Sequence, residues 1–207
     1  MDIIQIILLA IILAISIWFH EYAHAVASYK LWDPTPKLQW RLTPNPIKHL
    51  DPIGFLMIFL IHFWWWKPVE VNPNYYKNKL KDELIVALAW PFTNLLMAFF
   101  GWFLYVLMWK IWLLNILTET FLTLFIFINI ALAIFNLLPI YPLDGYRIIK
   151  FLKPQWAYFM EQNALTFTII FLILVFLSGN ILWSFINAVV SPIYNAIIAI
   201  WSSLLFW

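Results

Sequence analysis

Three residues able to do chemistry stand in the run His20-Glu21-Tyr22-Ala23-His24, at the end of an apolar stretch that begins at Ile3. Residues four apart share one face of a helix, so His20 and His24 can present two imidazoles to one metal ion. Glu21 stands one step round, able to reach a water in an open coordination position. Two histidine ligands with a glutamate general base form the helical H-E-x-x-H pattern of zinc-dependent hydrolysis. The alternative is a histidine pair packed at a helix end beside a surface glutamate. Placing three polar groups in a lipid-buried helix is costly, which favours the metal site.

A second constellation runs from Asn136 through Pro139, Pro142 and Asp144 to Gly145 and Arg147. The two prolines disfavour helix at the residues before them, so the chain is expected to unwind here. Irregular backbone at membrane depth is tolerated only beside protein or water. Gly145 would let the chain turn and leave the Asp144 carboxylate pointing inward. Asp144 would then complete a His₂Asp set with one position open for water. The local sequence also permits Asp144 as the N-cap of a helix starting at Gly145.

The elements that must position these groups are membrane helices. Hydrophobic residues make up 65% of the chain, charged residues only 11%, and the mean hydropathy is +0.87. A soluble domain carries about a quarter charged residues, so the 207 residues read as one intramembrane domain, 1–207, with a catalytic core over about 1–150. With no cysteines there is no disulfide, thiolate ligand or cysteine nucleophile. Met1-Asp2 lacks a basic n-region, so the first segment does not read as a cleavable signal peptide.

Six hydrophobic segments are expected, near 3–29, 53–66, 83–109, 112–138, 163–178 and 181–206. The last two are additional C-terminal membrane helices. The segment at 53–66, bounded by Asp51-Pro52 and Lys67-Pro68, is too short to span and is read as re-entrant. Eleven of the 12 basic residues then fall on one side, with Lys110 alone opposite. Basic residues accumulate in cytoplasmic loops, so the N-terminus is placed outside. The histidines lie roughly 9–15 Å below the cytoplasmic helix end at Lys30, at about 1.5 Å per residue. The expected fold is thus an all-α polytopic bundle with a small β-hairpin or sheet near the cytoplasmic face. The hairpin would join 35–48 to 67–73, because Leu38, Trp40 and Leu42 alternate with polar neighbours, as do Val69 and Val71. Its edge could receive an unwinding substrate; an amphipathic loop lying on the membrane surface is the alternative for these stretches.

At its two motifs the chain resembles the site-2 protease family of intramembrane zinc metalloproteases. That pattern is HExxH on one membrane helix and a later N-x₂-P-x₂-P-L-D-G, matched here by His20–His24 and Asn136–Gly145. The stretches Asn45–Gly54 and Lys67–Pro73, and the run that starts at Asp82-Glu83, look like the small bacterial branch, so the resemblance covers most of 15–150. It implies one zinc ion held by His20, His24 and Asp144, with Glu21 activating the water. It also implies that Asn136 helps to hold the substrate or tetrahedral intermediate. One departure stands out: the family's Gly-Pro-x-x-Asn is Trp90-Pro91-Phe-Thr-Asn94 here.

The remaining candidates read as structural. His49 and His62 are expected at the interface, the tryptophan and tyrosine clusters as interface anchors, and Arg147 as a charge snorkelling to the surface. Glu119 and Glu161, other possible third ligands, fall at segment ends. The expected activity is zinc-dependent hydrolysis of peptide bonds in or near a transmembrane segment of a membrane-protein substrate, at a prokaryotic cell membrane, with no nucleic acid involved. The alternatives are a non-catalytic zinc-binding scaffold of the same fold and a metal transporter. The retained Glu21 argues against the first. The absence of acidic residues and histidine between 163 and 207 argues against the second.

Overall fold

The computed structural model describes residues 3–43, 45, 48–49, 68–177 and 179–205. Along these residues the helices are α1 (Ile3–Lys30), α2 (Thr35–Leu38), α3 (Lys79–Lys110), α4 (Ile116–Leu137), α5 (Tyr146–Leu152), α6 (Pro154–Gln162), α7 (Ala164–Leu177) and α8 (Gly179–Leu205). Three of them, α1, α3 and α4, are long and apolar enough to cross a membrane, and the pair α6–α7, bent by 85°, could form a fourth crossing. The expected segment at 53–66 and His62 lie outside the described residues.

Local chemistry sets the helix ends. Asn78 caps α3 by accepting from the Lys81 N–H, and Asn115 caps α4 by accepting from Leu117 and Thr118. These side chains satisfy donors that a helix start leaves without intrahelical partners. Helix α1 packs against α3 and α4, and α8 also packs against both α3 and α4. The apolar core there is Ala98 and Trp102 of α3, Ile126 and Ile130 of α4, and Ile186 and Val190 of α8. Gly101 permits the close approach of α3 and α4, because a Cβ there would stand 2.9 Å from the Phe125 ring. Where α4 meets α1, the contact is polar. Buried Asn129 of α4 donates to Ser16 of α1 at 3.0 Å, one helical turn before His20.

Three helices end on a tryptophan in the left-handed region: Trp32 (φ 77°), Trp40 (φ 57°) and Trp112 (φ 58°). Each is followed by a residue whose N–H bonds back across the turn, Asp33 to Ser28, Arg41 to Pro36 and Leu113 to Met108. That closure usually uses glycine, because a side chain costs about 1–2 kcal/mol in this conformation. The three indoles are exposed, Trp112 at 94%. Amphipathic rings at the ends of apolar helices match the headgroup level of a bilayer, which offers a physical reason for tryptophan at these turns.

The expected β-hairpin or sheet has no support: no strand occurs among the described residues. Pro34 and Pro36 favour a helical turn, so Thr35–Leu38 is α2 and the Gln39 N–H bonds to Thr35 O. Trp40 then reverses the chain. Residues 68–72 form neither helix nor strand, and donors there go to side chains: the Val69 N–H to Glu21 and the Asn72 N–H to Asp33. An alternating pattern cannot hold a ladder once local turns and carboxylates have taken its donors.

Asp33 fastens this segment to the end of α1. Its carboxylate accepts from Ser28 Oγ at 2.7 Å, from the Thr35 N–H at 2.9 Å and from the Asn72 N–H at 2.7 Å, while Ser28 also meets Tyr76 Oη at 2.7 Å. Burial alone would push the Asp33 carboxyl up, but these hydrogen bonds outweigh it and hold the group below its usual range. The strap at 68–72 is therefore tied down beside α1, where it reaches the catalytic candidates.

Candidate active site

Helix α1 places His20 and His24 one turn apart, and the segment between α4 and α5 carries Asp144 to them. His24 Nε2 lies 3.2 Å and His20 Nε2 3.8 Å from Asp144 Oδ2. One donor atom from each residue lies within 4.8 Å of the other two, and this is the one such triad of metal-ligating side chains among the described residues. Tetrahedral zinc with bonds of about 2.0–2.2 Å separates neighbouring ligand atoms by about 3.3 Å, so the donor set fits that ion. The His24 Nδ1 contacts the Val86 carbonyl at 3.0 Å. A carbonyl only accepts, so the tautomer protonated at Nδ1 satisfies this contact and is the one that would leave the Nε2 lone pair to a metal.

Glu21 is buried and held at one oxygen. Its Oε2 accepts from the Val69 N–H at 2.6 Å, and its Oε1 lies 3.4 Å from His20 Nε2. One carboxylate oxygen is thus fixed by the strap while the other faces the ligand atoms. Trp90 packs edge-on against the His20 ring, centroids 4.0 Å apart, and is itself 1% exposed. The large side chain in the Trp90-Pro91 departure fills the space over the imidazole. Helix α3 continues through Pro91 from Lys79 to Lys110.

The turn that carries Asp144 leaves α4 at Leu137, as the prolines led us to expect. The Gly145 N–H donates to the Asn136 carbonyl at 2.6 Å. A Cβ on Gly145 would collide with the carbonyls of Leu137 and Leu138, while its φ of −58° is open to any residue. Glycine is required here for space rather than for conformational freedom. Asp144 does not cap α5, whose start has no side-chain cap; its carboxylate goes to the histidines instead. Gly145→Ala should therefore push the turn off α4, lowering both the melting temperature and the zinc content of purified protein. An Ala variant with unchanged zinc stoichiometry would show that the close approach is dispensable.

Several other residues have partners that the sequence did not name. The Asn136 amide donates to Leu132 O at 3.3 Å and lies outside the His20–His24–Asp144 triad. Arg147 does not simply snorkel to the surface: its Nη1 lies 3.3 Å from buried Glu83. His49 has a partner within the fold. It is fully buried and its Nε2 meets Thr43 O at 3.1 Å, a fold position that an isolated histidine does not reveal. Glu119 accepts from Tyr105 and Glu161 from Tyr146, so both are engaged away from the triad. Sequence reasoning missed Val69 and Val86, which act through backbone atoms and leave no side-chain signal. It assigned no role to Glu83, whose signal is a charged residue at the start of a long apolar helix.

Comparison with known proteins bears on this geometry. A profile of peptidase family M50 matches residues 108–178, which include the Asn136–Gly145 motif. A Bacillus subtilis protein provisionally named zinc metalloprotease YwhC is 38% identical over 205 residues, covering 95% of this chain and 94% of the relative. The chain belongs to peptidase family M50, the site-2 proteases. It is a zinc metalloprotease of the membrane-spanning kind. The stage IV sporulation protein FB of Bacillus subtilis is 29% identical over 108 residues, 52% of this chain and 34% of that protein. No solved structure matches.

Proposed function

We propose that this M50 peptidase hydrolyses peptide bonds in or near the transmembrane segment of another membrane protein, at a centre opening to the cytoplasmic side. The observation that carries the reading is the closeness of His20, His24 and Asp144 ligand atoms, on and beside an apolar helix of membrane-spanning length, with Glu21 Oε1 adjoining them at 3.4 Å from His20. His20, His24 and Asp144 would hold the zinc. When bound, zinc supplies Lewis acidity, polarising the scissile carbonyl and acidifying a water.

The protein's own residues do the rest. Glu21 Oε1 takes a proton from the attacking water, whose oxygen bonds to the carbonyl carbon. As the C–N bond breaks, the same oxygen returns that proton to the leaving amine. The Val69 N–H keeps the carboxylate from turning away during both transfers. The bond from Asn136 to Leu132 O is long enough to be exchanged, leaving its amide able to donate to a substrate oxygen. A membrane protein carrying one reporter transmembrane segment, co-reconstituted in liposomes, should be cut within or beside that segment and spared when 1,10-phenanthroline is added. Cleavage confined to a soluble tail, or insensitive to the chelator, would overturn the reading.

The orientation rests on the basic residues. Single cysteines replacing Lys37, Lys77 and Lys153 in this cysteine-free chain should all be shielded from an impermeant maleimide in intact cells and labelled after permeabilisation. Labelling of position 77 from outside would make 53–66 a full span and remove the cytoplasmic assignment.

A further inference from the structure

Beyond the triad, the charged groups around Asp144 form a chain of contacts centred on one buried carboxylate. Glu83 lies near the start of α3 and is 4% exposed. Its Oε2 is 3.3 Å from Arg147 Nη1 and 3.0 Å from Lys150 Nζ, both on α5. Arg147 Nε in turn faces Asp144 Oδ1 at 4.0 Å. Asp144 thus has its two oxygens divided: Oδ2 toward His24 and His20, Oδ1 toward the guanidinium. Lys150 carries a second branch, reaching Glu161 at 3.2 Å, where Tyr146 Oη also donates.

One more contact gives the arrangement direction. Val86, whose carbonyl orients His24, stands three residues after Glu83 on α3. The first turns of α3 therefore touch two of the three candidate ligands, His24 directly and Asp144 through Arg147. Glu83 is buried against two cations, and removing a buried charge leaves its partners unpaired. The planar guanidinium is suited to link two carboxylates at a fixed angle, which an ammonium cannot do.

We propose that Glu83 is a positioning residue of the metal centre, acting through Arg147 to aim the Asp144 carboxylate at the zinc. The proposal rests on the reading of Asp144 as third ligand. It separates the two branches: the arm through Arg147 sets the metal site, while the arm through Lys150 and Glu161 only holds α5 in place. Outer-shell partners of metal ligands typically alter metal affinity by about 10–100-fold.

The test is zinc affinity, measured by chelator competition on the full-length protein in detergent, together with the visible spectrum of the cobalt-substituted form. Glu83→Gln and Arg147→Lys should each weaken zinc binding by about tenfold or more and change the cobalt spectrum. Because both act on one arm, the double variant should lose no more than the weaker single variant. Lys150→Met should leave zinc affinity within about twofold of wild type, even where it lowers the melting temperature. Should Glu83→Gln fail to fold, the less disruptive Glu83→Asp takes its place with the same expectation. Wild-type zinc affinity in a folded Glu83 variant, or full additivity in the double variant, would overturn the proposal. Asp144→Ala distinguishes the two levels. If it too keeps zinc, the ligand reading has failed; if it loses zinc while Glu83→Gln keeps it, only the positioning role has failed.

Discussion

Glu21→Gln should bind zinc in wild-type stoichiometry and cleave nothing measurable. The amide has the size of the carboxylate, and its oxygen can still accept the Val69 N–H that Glu21 accepts at 2.6 Å. The substitution therefore keeps the strap in place. It removes the basic oxygen 3.4 Å from His20 Nε2, and general acid–base groups contribute about 10²–10⁴-fold to rate. Zinc analysis of the purified variant beside wild type, with cleavage of the same liposome substrate, separates metal binding from turnover. A Gln variant that retains cleavage would remove Glu21 from the mechanism. One that loses zinc would make Glu21 a ligand, against the geometry in which Asp144 rather than Glu21 completes the triad.

Asp144→Asn should lose zinc and activity together, the opposite signature. Asn keeps the side-chain shape but discards the negative charge that faces both His20 and His24 from 3.8 and 3.2 Å. In a poorly hydrated pocket that charge is what offsets a divalent cation, and a neutral amide oxygen replaces little of it. The loss should exceed the about 10–100-fold typical of an outer-shell change. Asp144→Glu should recover little, because one methylene moves the carboxylate by roughly an ångström in a site with Zn–O bonds of about 2.0–2.2 Å. Metal content and cleavage assayed in parallel decide it. Full zinc occupancy in Asp144→Ala, with another carboxylate supplying the oxygen, would refute the assignment.

These two variants differ because their side chains reach the site by different routes. Glu21 and the histidines share one helix, so a single spacing of residues brought them together. Asp144 arrives from more than a hundred residues away on a turn held by the Gly145–Asn136 hydrogen bond.

Much of this was legible from the chain itself. The composition required membrane helices, since 65% apolar residues leave little else to bury. The His20–His24 spacing put two imidazoles on one face because a helix repeats every 3.6 residues. Pro139 and Pro142 ended α4 where helix is disfavoured, and α4 does stop at Leu137. Such features depend on near neighbours in sequence, and local geometry dictates them. The tertiary structure decided what depends on distant partners. The alternation at 35–48 and 67–73 predicted strands, yet Pro34, Pro36 and Trp40 turned the first piece, and Glu21 and Asp33 captured donors of the second. Arg147 could be read as an exposed charge until Glu83, 64 residues earlier, stood 3.3 Å from it. Val86 and Val69 contribute a carbonyl and an amide that every residue possesses, so their type carries no information. Periodicity records which face a side chain occupies; only the packed chain determines which backbone group or buried charge that face meets.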